Sequence, residues 1–273
     1  METPYLSVII PAYKEGERIG HNLLEIDRYL KGRTYTYEIV VVVDGSPDNT
    51  AEIARNYALQ IPHLRVIDNA ENHGKGYVVR QGLLEAIGQC RLFLDADGST
   101  SITHLDTFLP VFQEGYDVVI GSRKISGSFI QVHQPKIREI MGQGGNVLIK
   151  LALGLWRYPD TQCGFKMLSA PAAEAVAKRM VVDRFGFDFE LIALAHALKF
   201  KVKQLPTILE KMTHLHKAKT EDPLYYFNIF FGLSLLFFVI SAFWMFMPKT
   251  TIFKRGLYFT LGGIILTLIL LLV

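Results

Sequence analysis

Along most of the chain, short apolar runs alternate with apolar positions spaced three and four apart. Residues 6–10 form an apolar run that ends at Pro11, a first strand. Ile19, Leu23, Ile26 and Leu30 then recur at spacings of four, three and four, one face of a helix. Residues 38–43 make a nearly continuous β-branched strand that closes on Asp44-Gly45-Ser46-Pro47. Polar-free runs of this sort suit a central parallel strand covered on both faces. The alternation continues with a helix through Ile53 and Tyr57, a strand over 64–67 and a helix carrying Val79, Leu83 and Ile87. Strands over 91–94 and 117–120 follow, closing on Asp95-Ala96-Asp97 and Gly121-Ser122-Arg123. Pro171 opens a further helix, 191–198 is another helical stretch, and 202–205 forms a late edge strand. Strands and helices alternating at this pitch predict an α/β fold with a mostly parallel sheet.

The pattern changes in two places. Residues 126–154 are glycine-rich, with Gly142, Gly144 and Gly145 inside a stretch of otherwise helical character, where they permit close packing or movement. Residues 225–247 carry no charged side chain, and at about 1.5 Å per residue such a helix crosses a hydrocarbon layer of about 30 Å. Pro248, Lys249, Lys254 and Arg255 separate it from a second uncharged run, 256–273. Tyr225, Tyr226, Trp244 and Tyr258 stand near the ends of these runs, as interfacial aromatics do. The expected organisation is a catalytic domain over 1–210, a basic juxtamembrane segment over 211–224 and two transmembrane helices over 225–273. Basic residues precede the first span and also fill the loop between the spans, so charge alone does not orient them.

Composition narrows the function classes. Twenty-nine Lys and Arg against 26 Asp and Glu give no dominant basic field, and nucleic acid is not an expected partner. Cys90 and Cys163 provide no disulfide framework and fit a reducing compartment. The opening Met1-Glu2-Thr3-Pro4 lacks a basic n-region, so no secretory signal is expected there. His214 and His216, without a nearby cysteine or carboxylate cluster, suit a basic collar facing lipid phosphates better than a zinc site.

Asp44, Asp95, Asp97 and Arg123 all follow strand ends, and in an open parallel sheet that carboxyl edge is where ligands sit. Two carboxylates one residue apart, Asp95 and Asp97, can share a divalent ion, Mg2+ or Mn2+, whose other ligands come from phosphate and water. Ordinary turn formation explains one such residue, and several on one edge favour a site.

Taken in order, the motifs resemble those of the inverting family 2 glycosyltransferases of GT-A fold, within them the polyprenyl-phosphate (dolichyl-phosphate) glucosyl- and mannosyltransferases. They are Ser7-Val8-Ile9-Ile10-Pro11-Ala12-Tyr13-Lys14-Glu15, Val43-Asp44-Gly45-Ser46-Pro47-Asp48-Asn49-Thr50, Asn72-His73-Gly74-Lys75-Gly76 and Asp95-Ala96-Asp97-Gly98-Ser99-Thr100. Gly121-Ser122-Arg123, Gln162-Cys163-Gly164-Phe165-Lys166 and Gly186-Phe187-Asp188-Phe189-Glu190 complete the set. The Gln-Cys-Gly-Phe-Lys block resembles the glucosyltransferase branch more than the mannosyltransferase branch. The resemblance implies that Pro11, Tyr13 and Glu15 line a nucleoside pocket, that Asp44 reads the base, and that Lys75 lies near the donor. It places Asp95 on the ribose and metal side and makes Asp97 the direct metal ligand. Val43 and Lys14 depart from the family's usual aspartate and asparagine, which loosens the implied base preference.

The implied reaction is inverting transfer of a hexose, glucose from UDP-glucose with GDP-mannose as the alternative donor, to a polyprenyl or dolichyl phosphate in a lipid membrane. The alternative of another class is a non-catalytic membrane scaffold that retains the GT-A fold. A catalytic domain on the cytoplasmic side would meet cytosolic nucleotide sugars, and a homo-oligomer is compatible with the sequence. Lys75 is either a donor contact or a solvated lysine beside a glycine turn. Arg123 is either a phosphate contact or half of a salt bridge closing its loop, and Arg138 is a second candidate for the acceptor phosphate. An acceptor phosphate is already anionic, so Asp188 and Glu190 are expected to orient sugar or acceptor loop; a hydroxyl acceptor would instead require one of them as base.

Overall fold

The computed structural model describes residues 3–123, 125, 129–130, 150 and 153–209. Strand β1 (Leu6–Ala12) runs parallel to β2 (Tyr37–Asp44) on one side and to β4 (Cys90–Leu94) on the other. Strand β3 (Leu64–Asn69) joins the outer side of β2, also parallel. Beyond β4 comes β7 (Phe165–Ser169), antiparallel to both β4 and β5 (Val118–Ser122), and β8 (Val202–Pro206) closes that edge parallel to β5. The sheet order is therefore β3-β2-β1-β4-β7-β5-β8, mostly parallel with one reversed strand inside it. A short parallel ladder, β6 (Phe129–Ile130) with β9 (Ile208–Leu209), stands apart from it.

The β-branched runs become central strands because both of their faces are covered. Val8, Ile10, Val41, Val43, Leu92 and Leu94 pack against α1 (Ile19–Lys31), α2 (Thr50–Ala58) and α4 (Leu105–Gln113), the last entered through a 3-10 turn at Ile102–His104. Their neighbours Ile9, Val40, Val42 and Phe93 face α3 (Lys75–Glu85), α5 (Ala170–Ala177) and α6 (Phe187–Ala197). Successive residues of a strand point to opposite faces, so one run serves two layers of helices.

Two expectations need correcting, and one strand went unannounced. Ile87 is not on the buried face of a helix: α3 ends at Glu85, Ala86 turns extended with ψ 139°, and Ile87 is 56% exposed. The helix expected over 191–198 begins earlier, which places Asp188 and Glu190 in its first turn. Phe165–Ser169 is a central strand that the apolar pattern did not announce. Among the described residues no helix is long and apolar enough to cross a membrane. The expected spans over 225–247 and 256–273, the segment 211–224 with His214 and His216, Gly142, Gly144, Gly145 and Arg138 lie outside the described residues.

Candidate active site at the carboxyl edge of the sheet

Five adjacent strands deliver loops to one edge. The parallel strands β2, β1, β4 and β5 end there, and β7, running the other way, begins there. The loop after β1 is knitted to the loop after β2. Lys14 N–H donates to Ser46 Oγ (2.8 Å) and Glu15 N–H to Thr50 Oγ1 (2.9 Å), while Asp48 accepts from the Ser46 hydroxyl (2.6 Å). Lys14 adopts φ 57°, an unusual left-handed conformation for a side-chain-bearing residue, and the Ser46 bond holds it there. Pro11 is buried at the end of β1 and Tyr13 is half-buried just beyond it.

Asp44 is almost wholly buried, at 3% exposure. Its carboxylate accepts from Asn72 Nδ2 (2.9 Å), His73 N (2.8 Å) and Gly74 N (2.9 Å). These bonds pin the loop that leads into α3, and so set where Lys75, its first residue, stands. Gly74 has φ 103°, and a Cβ there would lie 2.5 Å from Asp183 O, so only glycine lets the two loops meet.

Lys75 Nζ lies 2.7 Å from Asp95 Oδ1. Burial works against the Lys75 charge, but Asp95, with Asp188 and Asp97 beyond it, more than offsets this and holds the ammonium above its usual range. Asp97 accepts from Ser99 N (2.9 Å), and Asn22 on α1 donates to Ala96 O, so the loop between the two aspartates is fixed from both sides. Burial also raises the Glu15 carboxyl; Arg18 at 2.7 Å opposes this, and Asp97 and Asp95 add to the rise. Negative charge thus accumulates around Glu15, Asp95 and Asp97. Asp95 and Asp97 present hard oxygen donors of the kind Mg2+ and Mn2+ take. Among the described residues no three His, Cys, Asp or Glu side chains converge to hold a metal unaided. A cation here would take its remaining ligands from a phosphate and water, and on that count the residues fit.

Matches to known proteins bear on the same edge. The model of the family described as Glycosyl transferase family 2 matches residues 7–176, which run from β1 through the site into α5. The chain belongs to that family. A dolichyl-phosphate beta-glucosyltransferase of Trichomonas vaginalis is 36% identical over 214 residues, covering 74% of this chain and 63% of its own length. That of Drosophila melanogaster is 34% identical over 214 residues, 73% of this chain and 65% of its own. The matched part therefore spans less than two thirds of these relatives' length. Among solved structures, glucosyl-3-phosphoglycerate synthase from Mycobacterium tuberculosis, in complex with Mn2+, UDP and glucosyl-3-phosphoglycerate, superposes with a TM-score of 0.57 at 18% identity. It covers 81% of this chain and 75% of that one. At this identity the likeness speaks for the fold, the GT-A arrangement with its mostly parallel sheet.

Within this family 2 chain Arg123, Asp188 and Glu190, the other candidates among the described residues, each have partners. Arg123 gives Nε and Nη2 to the two oxygens of Asp160 (2.6 and 2.9 Å), and its own N–H also reaches Asp160 (3.0 Å). The salt bridge that closes the loop is therefore present. Burial would raise the Asp160 carboxyl, but Arg123 outweighs it and holds the group at about 2. Asp188 pairs with Lys166 in the interior. Glu190 accepts from Val181 N (2.9 Å) and Val182 N (3.0 Å), clamping the loop that precedes α6.

Sequence reasoning missed Asp160 and the uses made of Asn72 and Gly164. A Cβ on Gly164 would lie 1.9 Å from Asp95 Oδ2, and the Gly164 carbonyl accepts from the Asp95 N–H (3.1 Å). The Gln-Cys-Gly-Phe-Lys motif carried the signal: its glycine stands just before β7, where the backbone passes flush against the aspartate.

Proposed function

We propose that this protein transfers glucose from UDP-glucose to a polyprenyl or dolichyl phosphate, with inversion at the anomeric carbon and release of UDP. The observation that carries the reading is the grouping of Lys75, Asp95, Asp97 and Glu15 on one sheet edge, one ammonium among three carboxylates. The choice of glucose and of a dolichyl-type acceptor is supported by the relatives at 36 and 34% identity, both dolichyl-phosphate beta-glucosyltransferases. The runner-up donor is GDP-mannose.

In this scheme an acceptor phosphate oxygen forms the new bond to the sugar's C1 as the bond from C1 to the donor's phosphate oxygen breaks. No proton has to be removed from an acceptor that is already anionic, so the task is alignment and charge neutralisation. Asp95 and Asp97 would hold Mg2+ or Mn2+, which when bound offsets charge on the departing diphosphate. Lys75 turns from Asp95 to the diphosphate. Glu15, Tyr13 and Pro11 border the nucleoside, and Asp44 fixes the loop beside it and is the candidate to read the base. Arg123, with Nε and Nη2 engaged by Asp160, offers Nη1 to the acceptor phosphate, and Arg138 is its proposed companion. The engagement of Asp188 by Lys166 and of Glu190 by backbone N–H groups favours orienting roles for both carboxylates over general-base catalysis. Two transmembrane helices over 225–273, with the catalytic domain on the cytoplasmic face, would suit an enzyme that draws its acceptor from the bilayer.

The test is direct. Membranes carrying the protein are incubated with labelled UDP-glucose or GDP-mannose and authentic acceptor, and the lipid is extracted. Label entering a polyprenyl-phosphate fraction from UDP-glucose supports the reading, and its loss in Asp97→Asn supports the site. Label from GDP-mannose alone exchanges the donor, and no label from either overturns the proposal.

A further inference from the structure

Strand β7 carries a charge among the core residues Phe165, Met167 and Leu168. Lys166 is 0% exposed, with Phe165, Met167 and Leu168 beside it, and its register partners on the flanking strands are Phe93 and Ile120. Taking an ammonium out of water costs several kcal/mol, and an apolar side chain of similar volume often fills such a place at no loss of stability. Packing alone thus gives no reason for lysine at this position.

Its two acceptors both lead to the donor side of the site. The ammonium donates to Cys163 O (2.6 Å) and to the Asp188 carboxylate. Cys163 precedes Gly164, whose bare Cα and carbonyl back Asp95. Asp188 opens α6 and acts electrostatically on Lys75, the partner of Asp95. Lys75 Nζ and Lys166 Nζ each stand 5.5 Å from the centroid of the Phe93 ring, so one aromatic spaces the two cations. Charges alternate from the interior outward: Lys166, Asp188, Lys75, Asp95.

We propose that Lys166 is a positioning residue for the donor's diphosphate, fixing Asp188 and the 163–164 turn and through them Lys75 and Asp95. The inference rests on the reading of this edge as a nucleotide-sugar site. Lys166 touches neither donor nor metal; it acts from behind through groups that do. Partners placed one layer behind a metal site commonly change affinity or activity by about 10–100-fold when lost.

The experiment uses the full chain and measures UDP binding in the presence of Mn2+ by calorimetry, with donor and acceptor KM alongside. Lys166→Met is expected to weaken UDP binding about tenfold or more and to raise the donor KM without moving the acceptor KM. A lower melting temperature with unaltered UDP affinity would mean that the pair only holds the fold, and would overturn the inference. Should Lys166→Met fail to fold, Lys166→Met with Asp188→Asn removes the unpaired buried charge. It is expected to show the same loss, no larger than Asp188→Asn alone, because the two residues act as one unit. Wild-type affinity in the double variant overturns the proposal. Absence of UDP binding in the unaltered protein defeats the donor reading itself, whereas equal binding by the unaltered and Lys166→Met chains defeats only this inference.

Discussion

Lys75 Nζ, on the first residue of α3, and Asp95 Oδ1, on the first residue after β4, stand 2.7 Å apart. The lysine thus occupies one oxygen of the carboxylate that would share a divalent ion with Asp97. A lysine and a metal compete for Asp95, whereas lysine and diphosphate attract.

Opposite effects on two ligands follow from that competition. Lys75→Gln should weaken UDP binding roughly ten- to a hundredfold, since a charge-assisted hydrogen bond contributes about 1.5–3 kcal/mol. The same change should tighten Mn2+ binding to the nucleotide-free protein, because Asp95 loses its ammonium. Calorimetry with each ligand separately measures both. A fall in both affinities would show that Lys75 does not compete with the metal.

Gly164 is expected to tolerate no side chain. In Gly164→Ala the new Cβ would sit 1.9 Å from Asp95 Oδ2 and 2.2 Å from its Cγ, too close for the carboxylate to stay in place. Overpacking of this kind costs about 1–3 kcal/mol. Thermal unfolding should shift down and transferase activity should be lost with it. Wild-type activity in the alanine variant would show that Asp95 has room to move.

How far the sequence discloses this arrangement depends on what each element asks of it. The parallel strands were legible because both faces must be apolar, and Val40, Val41, Val42 and Val43 satisfy that in one unbroken run. Strand β7 was not, since Lys166 interrupts its apolar pattern for a reason that lies on α6, 22 residues away. Helix α4 was hidden by Pro110 inside it, which argues against a helix unless neighbouring contacts override the lost hydrogen bond. The strand-end aspartates announced a candidate site, because ligands gather at that edge. Their partners did not: Arg123 and Asp160 are 37 residues apart, and only the reversed strand and its loop bring them together.

Glu190 holds two consecutive backbone N–H groups, those of Val181 and Val182, one on each carboxylate oxygen. Glu190→Gln keeps one acceptor and turns an NH2 donor toward the other N–H. Hydrogen exchange at Val181 and Val182 should therefore accelerate while the β1 and β2 amides keep their protection. The transfer rate should fall far less than the ~10²–10⁴-fold expected for loss of a general base. A loss of that size, relieved by an acceptor of higher acidity, would instead give Glu190 the base's role.

Asp160 makes the protein's stability depend on acid in a defined window. Its folded carboxyl is held at about 2 against the ordinary 3.8, burial opposing and Arg123 dominating. A depressed carboxyl contributes stability above its unfolded value and loses it as pH falls through the folded one. The contribution is thus full above about pH 4 and declines toward pH 2, amounting to about 2 kcal/mol. Denaturant unfolding at pH 5 and at pH 2.5 should show a steeper loss in the unaltered chain than in Asp160→Asn. Arg123→Ala should cost more, about 3–5 kcal/mol, because it strands a buried carboxylate without its partner. Arg123→Lys keeps the charge but not the two-nitrogen fork, and should fall between. If all three variants unfold like the unaltered chain at pH 5, the pair does not hold this loop. A change confined to the acceptor KM would then leave Arg123 with the phosphate contact alone.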